Sequence, residues 1–428
     1  MNSPNERKGS SSKRRRRGGR GGRNRPQGQG AERNRHDGGS RGRRGNGGPR
    51  SSLVDAVPGG EPSIDVRGVL QLAQQGHGHL RSPQADYLQE PTDPIVPRSL
   101  IRDLDLEDGV EIVAGAVPRD GGGAPVVAEI RDISPGAPTA WSERRPFKSL
   151  VAEDPDQRIR LESTGDEIST RVLDLIAPIG KGQRCLIVAP PKAGKTVLLQ
   201  KIAQSVTENH PEIHLTVLLV DERPEEVTDM RRTVRGEVIA SSSDEEPSRH
   251  LHVAEMTLER CKRLVECGRD VVILLDSITR LARAYNTQQR SSGRVLSGGI
   301  DARTMEKPRR FFGAARKAVG GGSLTVIGTA LVDTGSRMDD VIFQEFKGTG
   351  NTEIIMDRGM FEQRIFPAID ISGSGTRKEE KLLTPHEYEK VTLLRRALAP
   401  LKAAEAMQLL IGRLAKHPSN EVFLETMA

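Results

Sequence analysis

The chain has 428 residues, 29% of them charged and only 3% aromatic, with 65 Lys and Arg against 58 Asp and Glu for a net charge of +7. That length allows two or three domains with sizeable cores, and no apolar run has the length of a bilayer span or the placement of a secretory leader. The charge is unevenly placed: residues 1–50 hold 14 Arg and 2 Lys against 3 acidic residues, so this stretch carries +13 and the remainder −6, which predicts a polyanionic partner for the basic stretch.

Residues 1–60 read as an Arg/Gly-rich arm. Up to Ser52 its only hydrophobic residues are Met1 and Ala31. Such a segment cannot bury enough surface to offset its ordering entropy and is expected to be disordered, its guanidinium groups suited to nucleic-acid phosphates. Within 61–145, the alternations "DGVEIVAGAV" and "APVVAEIRDI" are separated by turn residues such as "PRDGGGAP", predicting a small antiparallel β-barrel or sandwich. The stretch before them, "SIDVRGVLQLAQQG", reads as a short helix or turn leading in.

A Pro-rich connector near 135–155 opens the largest region, 146–428. Strand patterns "RCLIVAP", "LTVLLVDE", "DVVILLDS" and "SLTVIGTAL" alternate with helical patterns "KTVLLQKIAQSVTEN" and "TLERCKRLVEC". This predicts an α/β domain, a parallel sheet covered by helices on both faces. The last stretch reads as helices broken near Pro400. Cys185, Cys261 and Cys267 are odd in number and lack zinc-ligand spacing, as expected of reduced thiols in a soluble cytoplasmic protein of bacterial type.

Chemistry concentrates in the α/β region. Ala189 to Thr196, "APPKAGKT", matches the phosphate-loop pattern except that Ala189 replaces its first Gly. Backbone N–H groups at a helix start would cradle ATP phosphates. Lys195 would reach the β and γ oxygens, and the Thr196 hydroxyl would ligate Mg²⁺. Asp276 ends "VVILLD", where a carboxylate holds the metal site in such proteins. Asp221 and Glu222 end another strand at the ligand edge of the sheet, and Glu222 is the candidate base for the attacking water. Polar Gly/Ser-rich loops carry Arg294, Arg337 and Lys347, suited to a phosphate backbone, and "GSGTRKEE" offers Arg377 in a flexible setting for an arginine finger.

In order along the chain, "PIGKGQRCLIVAPPKAGKT", "VLLVDERPEEVTDM", "VVILLDSITRLARAYN", "FKGTGN" and "FPAIDISGSGTRKEE" resemble the bacterial transcription termination factor Rho family. The likeness is dense from about 165 to 428 and thinner from about 61 to 165. It implies a RecA-like P-loop ATPase domain preceded by an OB/cold-shock-like domain. The assembly implied is a homohexamer that uses ATP and Mg²⁺ to move 5′ to 3′ along single-stranded RNA and dislodge RNA polymerase.

Residue by residue, the resemblance implies that Gly180, Lys181, Gly182, Gln183, Arg184 and Cys185 line the nucleotide site with Lys192, Ala193, Gly194, Lys195, Thr196 and Val197. Glu222 is then the catalytic carboxylate, Arg223 a nucleotide-side partner, Asp276 a metal ligand and Phe366 the adenine platform. Arg377, with Arg364, reaches into a neighbouring subunit's site. Val295, Leu296, Ser297, Gly298 and Gly299, with Arg337 and Lys347, line a central RNA channel. In the barrel, His77 and His79 stand where the family has Phe, while Arg81 and Asp93 remain as RNA contacts.

Further aromatics expected near Ile95 and Ala124 are absent. Stacking is worth about 1–3 kcal/mol per base, so this site is expected to bind more weakly and to prefer cytosine less, the basic arm offsetting the loss. On the residues alone, two alternatives stay open. One is an RNA-independent RecA-like rotary or export ATPase subunit; the other is an ATP-gated RNA-binding protein that does not translocate.

Overall fold

The computed structural model describes residues 52–119, 121–133, 141–288 and 303–427. Most of the basic arm, to residue 51, and residues 289–302 with Arg294 therefore lie outside the described residues. Within the expected arm, residues 52–60 include a helical turn, Ser52–Asp55, and Arg98 pairs with Asp55 at 3.2 Å.

The N-terminal strands close into a barrel in the order β1 (Ile64–Leu72), β2 (Gly78–Arg81), β3 (Ile95–Val96), β5 (Val126–Ile133), β4 (Glu111–Val117). All pairings are antiparallel except the short β3–β5 contact. Leu70, Leu80, Val96, Ile112 and Val127 fill the interior, with the chain's single tryptophan, Trp141, packed against them. The segment expected to be a helix or turn is instead β1. Ile64, Val66 and Val69 favour extended backbone, and β2 and β4 pair with both its edges. Gly68 lets β2 approach: a Cβ there would lie 2.8 Å from that of Leu80.

Past the connector come four short strands: β6 (Ala152–Glu153), β7 (Arg158–Ile159) paired with β8 (Ile179–Gly180), and later β13 (Arg316–Ala318), which pairs with β6. The main sheet is built from β9 (Arg184–Ala189), β10 (His214–Glu222), β11 (Glu237–Ser242), β12 (Asp270–Asp276), β14 (Ser323–Leu331), β15 (Thr352–Met356) and β16 (Ile369–Thr376). Its order is β11-β10-β12-β14-β9-β15-β16. Every neighbour pair is parallel except β15–β16.

Two buried hydrophobic layers cover its faces, one centred on Ile187, Leu199 and Val217, the other on Leu186, Leu218 and Leu275. Successive residues of one strand thus point into opposite layers, which is why these strands read as unbroken apolar runs. The C-terminal helices Pro385–Leu398 and Ala403–Leu414 flank Pro400. Cys185 and Cys261 are buried, Cys267 is half-buried, and all three are free thiols. No helix among the described residues is long and apolar enough to cross a membrane.

Candidate nucleotide and RNA sites

β9 ends at Ala189, whose methyl is buried in the core where the phosphate-loop pattern has hydrogen. The loop then turns through Lys192 and Gly194, with φ of 62° and 87°, and Gly194 caps the helix Lys195–Asn209. The first helical hydrogen bond runs from Leu198 N to Gly194 O, 3.1 Å. The preceding amides at the helix start thus have no helical acceptor and are available to an anion. Val197 is exposed beside them.

Two carboxylates converge on Lys195. Its Nζ donates to Glu222 Oε1 at 3.0 Å and to Asp276 Oδ1 at 2.5 Å. Burial opposes the Lys195 charge, but Asp276 and Glu222 outweigh it and hold the ammonium above its ordinary pKa. Burial pushes the Glu222 carboxyl up and the Asp276 charge adds to this, with Lys195 and Arg280 offsetting part.

Glu222 faces the loop because β10 is irregular at its end. Asp221 takes φ 57° and the register with β11 shifts between Val220 and Glu222. The alternation is thereby broken: Asp221 turns out to Arg280 (2.9 Å) while Glu222 is 3% exposed.

Asp276 Oδ1 also accepts from Thr329 Oγ1 at 2.7 Å, whereas its buried Oδ2 has no hydrogen-bond partner among the described residues. An orphaned carboxylate oxygen beside a phosphate loop suits a hard divalent cation. The Thr196 hydroxyl, the other expected ligand, donates to Glu226 Oε2 at 3.3 Å. Arg280, Thr329 and Glu226 were not singled out in the sequence. Arg280 lies within the "DSITRLARAYN" motif, which was the available signal for it.

Beside the loop, Ala193, Gly194, Val197, Met356, Phe361 and Phe366 help line a largely apolar cavity of about 320 Å³. Phe366 meets Phe361 edge to face at 5.4 Å and leaves 47% of its surface exposed. Arg223 caps the helix Pro224–Thr233 at this edge with its side chain exposed.

Arg364 is exposed two residues before Phe366, and its amide donates to Phe361 O at 3.0 Å. Arg377 follows the other end of β16, at least about 23 Å of extended strand away. The structure therefore does not bring these two arginines together. Nor is Arg377 in a flexible setting: "GSGT" is part of β16, and the Arg377 amide donates to Asn351 O at 2.8 Å.

Gly180 to Cys185 likewise lie at the far end of β9 from the phosphate loop, not beside it. Gly182 (φ 96°) packs against the Arg316–Lys317 backbone, and Lys181 pairs with Asp270 at 2.7 Å. Gln183 Nε2 donates to Thr352 Oγ1 at 2.7 Å, Arg184 Nε donates to Thr349 O at 2.9 Å, and Cys185 is buried. The Arg184 amide donates to Asn351 Oδ1 at 2.8 Å, so Arg184 and Arg377 meet at the same residue; burial lowers the Arg184 pKa and the Arg377 charge adds to it.

On the barrel, the His77 and His79 rings meet edge to face at 5.2 Å. Burial pushes the His79 pKa down, with the charges of Arg81 and His77 adding. Beneath them Arg81 and Asp93, 6% and 5% exposed, form an ion pair, and Arg81 Nε donates to Gln71 Oε1 at 2.7 Å. Asp93 also accepts from the Glu90 amide at 2.7 Å. Arg81→Ala would strip Asp93 of its counter-ion, so this variant is expected to lose about 3 kcal/mol of stability, the lower end for breaking a buried pair. Urea unfolding of the full chain checks this; an unchanged midpoint would show the pair to be dispensable.

Arg337 and Lys347 are exposed at opposite ends of the helix Arg337–Lys347, about 15 Å apart along its axis. Arg337 lies at the phosphate-loop edge of the sheet and Lys347 at the other. The residues Val295 to Gly299 expected to join them lie outside the described residues.

Comparison with known proteins gives two family matches. Residues 169–376 match the ATP synthase alpha/beta family, nucleotide-binding domain, and residues 66–134 match the Rho termination factor, RNA-binding domain. Transcription termination factor Rho of Borreliella burgdorferi is 52% identical over 372 residues, covering 86% of this chain and 72% of the relative. Its counterpart in Pseudomonas aeruginosa is 52% identical over 365 residues, covering 84% and 87%. A solved type III secretion system ATPase matches with a TM-score of 0.54 at 21% identity, over 71% of this chain and 93% of its own; this supports the RecA-like fold alone. Both the barrel and the nucleotide-binding sheet are thus accounted for within one family, and the chain belongs to the transcription termination factor Rho family.

Proposed function

We propose that this chain assembles into a homohexameric ring that captures nascent single-stranded RNA, moves along it 5′ to 3′ at the expense of ATP and dislodges RNA polymerase. The observation that carries the reading is the union in one chain of a Rho-type RNA-binding barrel with a phosphate loop facing two strand-end carboxylates. A rotary or export ATPase shares the second feature but has no need of the first.

The domain division under this reading is the arm to about residue 60, the barrel over 61–145, and the connector and ATPase over 146–428. In the ATPase, Lys195 and the amides at the helix start hold the ATP phosphates. The apolar cavity with Phe366 takes the base, Arg223 and Arg364 flank the cleft, and Glu222 orients the attacking water and accepts its proton. Thr196 and Asp276 would hold Mg²⁺, which neutralises phosphate charge when bound. Arg377, with Arg184 at the opposite edge of the sheet, serves the neighbouring subunit. His77 and His79 offer stacking surfaces for RNA bases above the Arg81–Asp93 pair. Residues 295–299, Arg337 and Lys347 would contact the translocating strand, and the basic arm would add phosphate contacts.

The test is steady-state ATP hydrolysis without RNA, with poly(C) and with mixed-sequence RNA. Stimulation by both RNAs is expected, with less advantage for poly(C) than intact aromatic platforms would give. Hydrolysis indifferent to either RNA would favour the export-type ATPase.

A further inference from the structure

Between β2 and β3, residues 82–93 form a loop closed at its base by the Arg81–Asp93 ion pair of the RNA site. Its tip does not belong to the barrel. Tyr87 is fully buried and packs in the core layer of the ATPase sheet, and its hydroxyl donates to Glu237 Oε1, at the start of β11, at 2.9 Å. Asp86 accepts from the Ala240 amide of β11 at 2.9 Å, and both its oxygens take hydrogen bonds from Arg231 at 2.7 Å.

Arg231 lies in the last turn of the helix Pro224–Thr233, which begins two residues after Glu222 and carries Glu226 against Thr196. Asp86 and Tyr87 are consecutive left-handed residues, φ 53° and 59°, a costly pairing outside glycine. The tip therefore keeps its shape only while seated. A second strut runs from Arg81 through Gln71 to His252, whose Nε2 donates to Tyr87 O at 2.9 Å.

We infer that this loop is the lever by which RNA on the barrel sets the rate of ATP hydrolysis, with Asp86 and Tyr87 as its positioning residues. RNA bases stacking on His77 and His79 press on the Arg81–Asp93 pair beneath them, the closed base of the loop. The rigid tip transmits that displacement to β11 and to the helix that follows Glu222. No RNA or nucleotide contact is assigned to Asp86, Tyr87 or Arg231. The inference rests on the RNA-dependent reading above, and deepens it by naming the connection.

The experiment uses the full chain and the variants Asp86→Ala and Tyr87→Phe. Both should fold: Arg231 is half-exposed and can turn to water, and Glu237 keeps its bonds from His214 and Arg260. Three quantities are read: affinity for a fluorescent single-stranded oligonucleotide without ATP, RNA-free ATPase rate, and the ratio of RNA-stimulated to RNA-free rate. Oligonucleotide affinity and RNA-free rate are expected to stay within about twofold, while the stimulation ratio falls about fivefold or more in the double variant, the scale of ordinary inter-site coupling.

A stimulation ratio equal to the wild type's would overturn the lever. So would an RNA-free rate that falls about fivefold or more, since that is damage to the ATPase itself and not to its coupling with RNA. A wild-type chain that RNA fails to stimulate overturns the underlying reading as well, which separates the two failures.

Discussion

Replacing Glu222 by Gln is expected to slow RNA-stimulated ATP hydrolysis by about 10²–10⁴-fold, the range for removal of a general base, with ATP binding retained. Gln keeps the volume and one acceptor oxygen for Lys195, so the phosphate loop should stay in place. What is lost is a group able to accept the proton of the attacking water. The pH dependence follows from the site's electrostatics. Burial, reinforced by Asp276, raises the Glu222 pKa against the partial opposition of Lys195 and Arg280. A base acts only when deprotonated, so the wild-type rate should fall as pH drops through that raised value. The residual rate of the variant should lack this acid limb. Phosphate release measured from about pH 5 to pH 8 in both proteins checks the assignment. A variant within tenfold of wild type would move the role elsewhere, with Asp221 the next carboxylate.

The sheet was legible because its strands are buried on both faces, so that β9, β10, β12 and β14 stand out as unbroken apolar runs between helical patterns. β1 was not legible, for a related reason. Val66, Val69, Leu70 and Ala73 recur at helical spacing, and the alternation that would mark a strand is masked. Leu70 faces the barrel interior while Val69 packs with the ATPase core layer. What decides the matter is pairing with β4, some 40 residues on, which no local window contains.

At the nucleotide site, strand-end carboxylates could be placed at the ligand edge from sequence, because parallel strands share a C-terminal edge. Which of Asp221 and Glu222 turns toward Lys195 depends on a single left-handed residue that inverts the alternation. Which of Arg364 and Arg377 comes to the phosphate-loop edge depends on β16 running antiparallel to β15. Motif text carries residue types and order; it does not carry strand direction. The far-end position of Gly180 to Cys185 has the same origin, since they begin β9 and the phosphate loop ends it. The barrel's docking onto the ATPase through Asp86 and Tyr87 had no local signal at all.

That strand geometry makes the second large effect unusually discriminating. Arg377 and Arg184 both bond Asn351 at the start of β9, whereas the phosphate loop begins after Ala189, about 17 Å along the strand. An arginine side chain cannot cover that distance, so Arg377 cannot serve its own subunit's ATP. Arg377→Ala is therefore expected to abolish most RNA-stimulated hydrolysis, by about 10³-fold or more if it acts as an arginine finger, and to do so in trans.

Mixing separates this from ordinary damage. Combine Arg377→Ala with Glu222→Gln, each nearly inactive alone, and allow the subunits to exchange. In a ring with head-to-tail interfaces, a site with Glu222 from an Arg377→Ala subunit can receive Arg377 from a Glu222→Gln neighbour. Random assembly at equal amounts should restore roughly a quarter of the sites. Recovery of ATPase activity on mixing would place Arg377 at a composite site between subunits. If activity stays at the level of the separate variants although subunit exchange is verified by fluorescence transfer, Arg377 does not act across the interface, and its loss must work through the fold around Asn351 instead.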